Sequence, residues 1–235
     1  MNIENKVAIV TGASKGIGKA TALALAEAGA HLAISARSKK LLEETAQEIR
    51  KMGREVLTFA GDMSVEDDIR QFINATVEKF DRIDILVNNA GVGHFHKIGE
   101  MPTERWDEMF NLNIRGMFIA TRETLPHLRK AGESAVVNVS SLAGKNVFVN
   151  GGGYAATKHA VMAFSRCLML EERENGVRVL VMCPGSVATH FSRDPDDPRQ
   201  KRITQPEDVA ESIVHMIRLP QRAMVSEIDV RPTNP

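Results

Sequence analysis

Short runs of consecutive apolar residues alternate along this chain with longer stretches whose apolar residues recur every three or four positions. The first kind predicts buried strands and the second amphipathic helices. Strands are predicted at Val7 to Val10, His31 to Ala36, Glu55 to Ala60, Asp84 to Val87, Ala135 to Val139, Val177 to Met182 and Val225 to Val230. Helical spacing covers Gly16 to Ala28, Ser38 to Met52, Val65 to Phe80, Thr103 to Phe110, Asn113 to Lys130, Tyr154 to Glu174 and Pro206 to Ile217. Gly29 and Gly53 stand just past two of these helices, where a C-terminal glycine relieves the turn. Continuously apolar strands separated by helices predict a parallel sheet covered on both faces. Right-handed crossovers make it doubly wound, a seven-stranded α/β sheet in three αβα layers. No repeat or linker interrupts the pattern, so residues 1–235 are expected to form a single domain. The most polar stretch, Ser192 to Arg202 with Asp194-Pro195-Asp196-Asp197-Pro198, reads as a surface loop.

Composition narrows the setting. Hydrophobic residues make up 43% of the 235, enough for a large core. Thirty basic residues balance thirty acidic ones, so no global field draws the protein to nucleic acid or an anionic membrane. The two cysteines, Cys167 and Cys183, make a disulfide framework implausible and are read as small core residues. The chain runs into its first strand without the pattern of a signal peptide, and no apolar run is long enough to span a bilayer. A cytoplasmic protein is expected.

Chemistry enters at the first strand-to-helix turn, Thr11-Gly12-Ala13-Ser14-Lys15-Gly16-Ile17-Gly18. In a doubly wound sheet this turn is where a dinucleotide pyrophosphate binds, because glycines admit the phosphates and the helix N-terminus supplies N–H groups. The spacing is neither the common G-x-G-x-x-G fingerprint nor a Walker A loop. Gly12, Ser14, Lys15, Gly16, Ile17 and Gly18 are the expected contacts. A ribose 2′-hydroxyl calls for an acid at the end of the second strand, and a 2′-phosphate for arginine. The sequence there is Ile34-Ser35-Ala36-Arg37-Ser38, so Arg37 with Lys15 predicts NADP(H) over NAD(H). Asp62, with Met63 beside it after the third strand, is a candidate contact to the adenine amine or a cap for the next helix.

Tyr154 and Lys158 are four residues apart and share one helical face. A phenol has a reference pKa of about 10, and an ammonium beside it favours the phenolate. Ser141 lies upstream, at the end of the fifth apolar run.

The ordered set Thr11-Gly12-x-x-x-Gly16-Ile17-Gly18, Asn88-Asn89-Ala90-Gly91, Asn113, Ser141, Tyr154-x-x-x-Lys158 and Pro184-Gly185 resembles the short-chain dehydrogenase/reductase family over Val7 to Pro232. The resemblance implies that Asn88 to Gly91, with Asn89, Ala90 and Gly91 as contacts, shape the floor of the cofactor site. It implies that Asn113 holds a proton-relay water, and that Pro184, Gly185, Val187 and Thr189 hold the nicotinamide amide. Ser141, rather than Ser140, matches the catalytic serine. Tyr154 is then the general acid, Ser141 orients the carbonyl oxygen, and Lys158 lowers the tyrosine pKa and holds the nicotinamide ribose. A homodimer or homotetramer assembled through the helices of Asn113 to Lys130 and Tyr154 to Glu174 is also implied.

Substrate contacts are expected from His94 and Phe95 after the fourth strand, and from Val147, Phe148, His190 and Phe191 in the loops that flank the site. These suggest an apolar pocket, with Lys145 the one candidate for a carboxylate. His94 and His96 lack a third ligand, so no metal is expected. Glu171 to Glu174 reads as a solvated helix end. NADPH-dependent reduction of a small or medium ketone or aldehyde, or its reverse, is the leading reading. A 3-oxoacyl-thioester reductase and a non-catalytic NADP(H)-binding regulator are the alternatives. The C-terminal end lacks the glycine-rich tail common in acyl-carrier-protein reductases.

Overall fold

The computed structural model describes residues 1–189, 191, 200 and 202–233. Among them are seven strands: β1 (Val7–Thr11), β2 (His31–Ala36), β3 (Val56–Ala60), β4 (Ile85–Asn88), β5 (Ser134–Val139), β6 (Val177–Pro184) and β7 (Glu227–Val230). They form one sheet in the order β3-β2-β1-β4-β5-β6-β7, with every pairing parallel. The helices are α1 (Gly16–Glu27), α2 (Lys39–Lys51), α3 (Glu66–Phe80), α4 (Thr103–Phe110), α5 (Met117–Ala131), α6 (Gly152–Glu172) and α7 (Pro206–Arg218).

Strand side chains point alternately to the two faces, and both faces are dry. Ala8 and Val10 pack with Leu25 of α1, Leu42 and Ile49 of α2, and Ile213 and Ile217 of α7. Ile9, between them, packs on the other side with Phe72 and Ile73 of α3, Ile119 and Leu128 of α5, and Leu168 of α6. Strand order reverses between β1 and β4, so the carboxyl ends of those strands open a crevice where ligands bind in such sheets.

Four local features differ from the sequence expectation. The helices expected at Thr103 to Phe110 and Asn113 to Lys130 are joined, because a π-helical stretch, Asn111–Gly116, runs α4 into α5. The wider turn lets Gly116 lie against the Met63 carbonyl, where a Cβ would collide, and turns Asn113 inward. Second, β6 extends to Pro184 because β7 pairs with it through that residue. Third, Glu172 is not part of a solvated end: it is buried and accepts hydrogen bonds from Arg129 Nε at 2.9 Å and Nη2 at 2.5 Å. Fourth, Cys167 is exposed on α6 rather than in the core, whereas Cys183 is buried in β6. The expected loop from Ser192 to Arg202 lies largely outside the described residues.

Candidate active site

The turn from β1 into α1 is built for close approach. Gly12 and Gly16 adopt left-handed φ values of 68° and 57°. A Cβ on Gly12 would sit 3.0 Å from both Ala90 Cα and Asn89 Nδ2, and one on Gly18 would collide with the Gly12 carbonyl. Asn89 Nδ2 donates to the Thr11 and Gly12 carbonyls at 2.8 and 3.2 Å. The Thr11 hydroxyl accepts from the Asn89 and Ala90 amides, both at 3.0 Å. Residues 89–90 after β4 are thereby stitched to the turn. Thr189 closes the other side, 3.1 Å from where a Gly16 Cβ would lie.

This cradle fits a dinucleotide. The N-cap of α1, Lys15, makes no side-chain cap hydrogen bond, and the first turn carries no acid. An anion there would meet free N–H groups and the positive end of the helix. Ile17 packs against the core beneath it. Arg37, one residue past β2, is exposed and makes no ion pair among the described residues, and Lys15 is likewise exposed. Ser14 is half-buried between them. Asp62 does not cap α3, whose N-cap is Val65. Its Oδ1 instead accepts from the Ser64 amide at 2.9 Å and the Ser64 hydroxyl at 2.8 Å, closing its own turn. Met63 is buried. Asn88 is also buried and points away from the floor formed by 89–91. Its Nδ2 donates to Asn138 Oδ1 at 2.8 Å and Thr121 Oγ at 3.0 Å, tying β4 to β5 and α5.

The catalytic candidates converge at the carboxyl ends of β4, β5 and β6. Ser141 follows β5 in extended conformation; its hydroxyl accepts from the Ala143 amide at 3.1 Å and donates to the Pro184 carbonyl at 3.4 Å. Ser140 faces the other way, buried, with its hydroxyl on the Lys158 carbonyl at 3.1 Å. Alternation along an extended segment thus puts 141, and not 140, in the site.

Helix α6 starts two residues before the expected Tyr154, at Gly152. Glycines suit this end, because a Cβ on Gly153 would lie 2.5 Å from Met109 Cε. Tyr154 and Lys158 are both buried, with Lys158 Nζ 5.8 Å from the phenol ring centroid. Lys158 Nζ donates to the Val139 carbonyl at 2.9 Å. Burial pushes the Tyr154 pKa up to about 12 against the opposing pull of the Ser141 hydroxyl. Burial also pushes Lys158 down, to about 8. The expectation that the lysine charge lowers the phenol is therefore not met in the protein alone. Desolvation dominates both groups, and the hydroxyl of Ser141 is the group that favours the phenolate.

Both ends of the Asn113 amide are bonded to protein groups. Its Oδ1 accepts from the Val92 amide at 2.9 Å, and its Nδ2 donates to the Val92 carbonyl at 2.8 Å and Thr157 Oγ at 3.1 Å. It thus clamps the loop after β4 onto α6, and a Cβ on Gly91 would lie 3.2 Å from Asn113 and 3.8 Å from Lys158 Nζ. Thr157, which the sequence reading passed over, is the other half of this clamp and also donates to the Tyr154 carbonyl at 2.8 Å. Its position between Tyr154 and Lys158 was the available signal. Beyond β6, the Gly185 amide donates to the Val230 carbonyl at 2.8 Å, and Val187 bridges to Thr204.

Three phenylalanines wall the phenol. Phe95 meets Tyr154 edge-on with centroids 5.5 Å apart, Phe191 lies 5.7 Å from it, and Phe148 is 5.9 Å from Phe95. Val147 is not part of this wall: it is 80% exposed, turned outward in the loop before α6. His190 lies outside the described residues. His94 Nε2 sits 2.9 Å from Glu108 Oε2, which also accepts from Arg105 Nη1 at 2.9 Å. Lys145 does not face the site as a free cation, because it pairs with Asp229 at 2.8 Å and Glu227 at 3.1 Å. Among the described residues no group of three or more His, Cys, Asp or Glu side chains could hold a metal, and no helix is long and apolar enough to cross a membrane.

Comparison with known proteins identifies the family. The short chain dehydrogenase profile matches residues 6–200. An uncharacterised oxidoreductase of Staphylococcus epidermidis is 33% identical over 98% of both chains. A glycine betaine reductase of Emericella nidulans is 35% identical over 98% of this chain, which spans only 19% of that protein's length. The crystal structure of an alcohol dehydrogenase from the archaeon Thermococcus sibiricus, complexed with 5-hydroxy-NADP, superposes with a TM-score of 0.92 at 33% identity, covering 99% of this chain and 98% of that one.

Proposed function

Because this chain belongs to the short-chain dehydrogenase family, an oxidoreductase acting on CH–OH and C=O groups, we propose that it interconverts a ketone or aldehyde and the alcohol with NADP(H), and that Tyr154 is the general acid and base. The carrying observation is the convergence of a buried, protonated phenol with the Ser141 hydroxyl and the Lys158 ammonium at the mouth of the glycine-rich cradle. The archaeal neighbour solved with an NADP derivative supports the cofactor, and the exposed cations Arg37 and Lys15 support the phosphorylated form. The bound cofactor supplies or accepts the hydride.

The chain's own groups handle the proton. Tyr154 donates its phenolic proton to the carbonyl oxygen as negative charge develops there, and Ser141 donates a second hydrogen bond to the same oxygen. A pKa of about 12 keeps the phenol protonated at neutral pH, which suits it as the acid in reduction. Lys158, held by the Val139 carbonyl, positions positive charge beneath the ring and holds the ribose. Asn113, clamped to Val92 and Thr157, keeps the loop after β4 against α6 and supports the water that resupplies the proton. Residues 1–235 act as one domain in the cytoplasm, in a homodimer or homotetramer that covers the exposed Phe118 of α5 and Leu170 of α6.

Tyr154→Phe tests the assignment: turnover is abolished while NADPH affinity stays within about twofold, because the hydroxyl is the only group removed. Turnover near the parent rate in this variant sinks the reading.

A further inference from the structure

Resting on that reading of the site, we propose that the substrate is an uncharged carbonyl compound carrying a ring next to the reacting carbon, and that Phe95 selects it. Three rings gather on one side of the phenol: Phe95 edge-on to Tyr154, Phe191 beside it, and Phe148 behind Phe95. These rings are nevertheless 37%, 42% and 49% exposed, although Tyr154 itself is 9% exposed. Apolar rings left in water around a buried acid mark a surface that gains free energy when a ligand covers it. A planar ring satisfies the edge and face geometry that the three phenylalanines present.

Charge argues in the same direction. Among the described residues, the cations near the phenol are each already engaged. Lys145 is matched by Glu227 and Asp229, His94 and Arg105 meet Glu108, and Lys158 is bonded to a main-chain carbonyl beneath the ring. A carboxylate carried into this wall would lose its hydration and meet no unengaged cation among the described residues, so anionic substrates are disfavoured by the cost of burial rather than by size. The same argument disfavours acyl substrates that bring charge next to the carbonyl.

Phe95 is the selecting residue because it alone contacts both the phenol and a second wall ring. It stands in the loop after β4, whose backbone Asn113 holds through Val92.

The test compares kcat/KM, at saturating NADPH, for ethyl benzoylformate, benzoylformate and 2-butanone. The first two share the phenyl ring and ketone and differ in charge; the third lacks the ring. We expect the ester to exceed benzoylformate by at least about 100-fold. Phe95→Ala is expected to lower kcat/KM for the ester about tenfold, mainly through KM, while 2-butanone and NADPH affinity change less than about threefold. Equal turnover of ester and anion overturns the charge argument. Equal losses for ester and 2-butanone remove Phe95 as the selector. No turnover of any of the three by protein that binds NADPH overturns the carbonyl-reductase reading together with this one.

Discussion

Replacing Ser141 by alanine isolates the one side chain that pulls the phenol towards ionisation. In the parent, Tyr154 titrates at about 12, raised by burial. Below pH 8 the buried phenol stays protonated and Lys158 charged, so kcat/KM for alcohol oxidation, which needs the phenolate, climbs about tenfold per pH unit there. Reduction uses the protonated phenol and the Lys158 ammonium, so its kcat/KM stays flat below the lysine's lowered pKa of about 8 and falls above it. In Ser141→Ala the oxygen of the reacting carbonyl loses a donor placed for its developing charge, a loss of roughly 10²- to 10³-fold. The overall equilibrium is untouched, so at any one pH both directions fall by the same factor. The assay is initial rates of NADPH oxidation and NADP⁺ reduction, on one ketone and its alcohol, from pH 6 to 9.5. An oxidation rate that levels off below pH 8 refutes the claim that burial sets the phenol's acidity. A loss smaller than about tenfold in the variant refutes the role given to Ser141.

Arg37→Ala is expected to weaken NADPH about 10- to 100-fold and NADH less than about threefold, the size of lost charge-assisted hydrogen bonds; titration of both cofactors by fluorescence reads it, and equal losses remove Arg37 from the 2′-phosphate. Gly18→Ala places a methyl against the Gly12 carbonyl and the Asn89 amide, so NADPH affinity should fall more than about tenfold with a stability loss of about 1–3 kcal/mol, read by calorimetry and urea unfolding. Asp84, fully buried, accepts from the Val7 amide at 2.9 Å, Arg82 Nη2 at 2.6 Å and Lys6 Nζ at 3.2 Å. Burial pushes its pKa up, but the bonds from Arg82, Val7 and Lys6 outweigh burial and leave it below the usual carboxylate value. Its contribution is therefore present above the unfolded pKa of about 3.9 and is lost as pH falls through the lower folded value. Asp84→Asn should cost about 2–3 kcal/mol at pH 7, discounted for the exposure of Arg82, and should flatten the acid limb of the stability curve; an unchanged limb sinks that account.

Much of this architecture was legible because its determinants are local. Buried parallel strands must be continuously apolar, so Val7 to Val10 and Val177 to Met182 announce themselves. Glycines past helix ends, such as Gly29 with φ of 103°, mark the stops. Ser141 is picked out by its spacing, and its hydroxyl, rather than that of Ser140, bonds the Tyr154 phenol. What escaped depends on contacts distant in sequence. The π-helical stretch exists because Asn113 is drawn to Val92 and Thr157, and helical spacing carries no trace of that pull. Glu172 looks solvated among charged neighbours until Arg129, 43 residues away, is seen to hold it. Lys145 looked free for a ligand because Glu227 and Asp229 lie on the last strand. The phenol's acidity was misjudged for a related reason: four residues of spacing reveal a neighbouring charge and say nothing about dryness.

The side chains at the centre of this site take their positions from main-chain atoms. Lys158 is held by the Val139 carbonyl, Asn113 by both backbone groups of Val92, Asn89 by the Thr11 and Gly12 carbonyls, and Ser141 by the Ala143 amide and the Pro184 carbonyl. Substitution replaces side chains and leaves carbonyls and amides in place. Apart from Gly12, whose left-handed turn calls for glycine, and Thr11, whose hydroxyl is itself a partner, the positions that supply these anchors can therefore vary in identity as long as the strands and turns keep their course. A lineage can trade away two residues in three, and remodel the aromatic wall for a new substrate, without having to reinvent the placement of its proton donor.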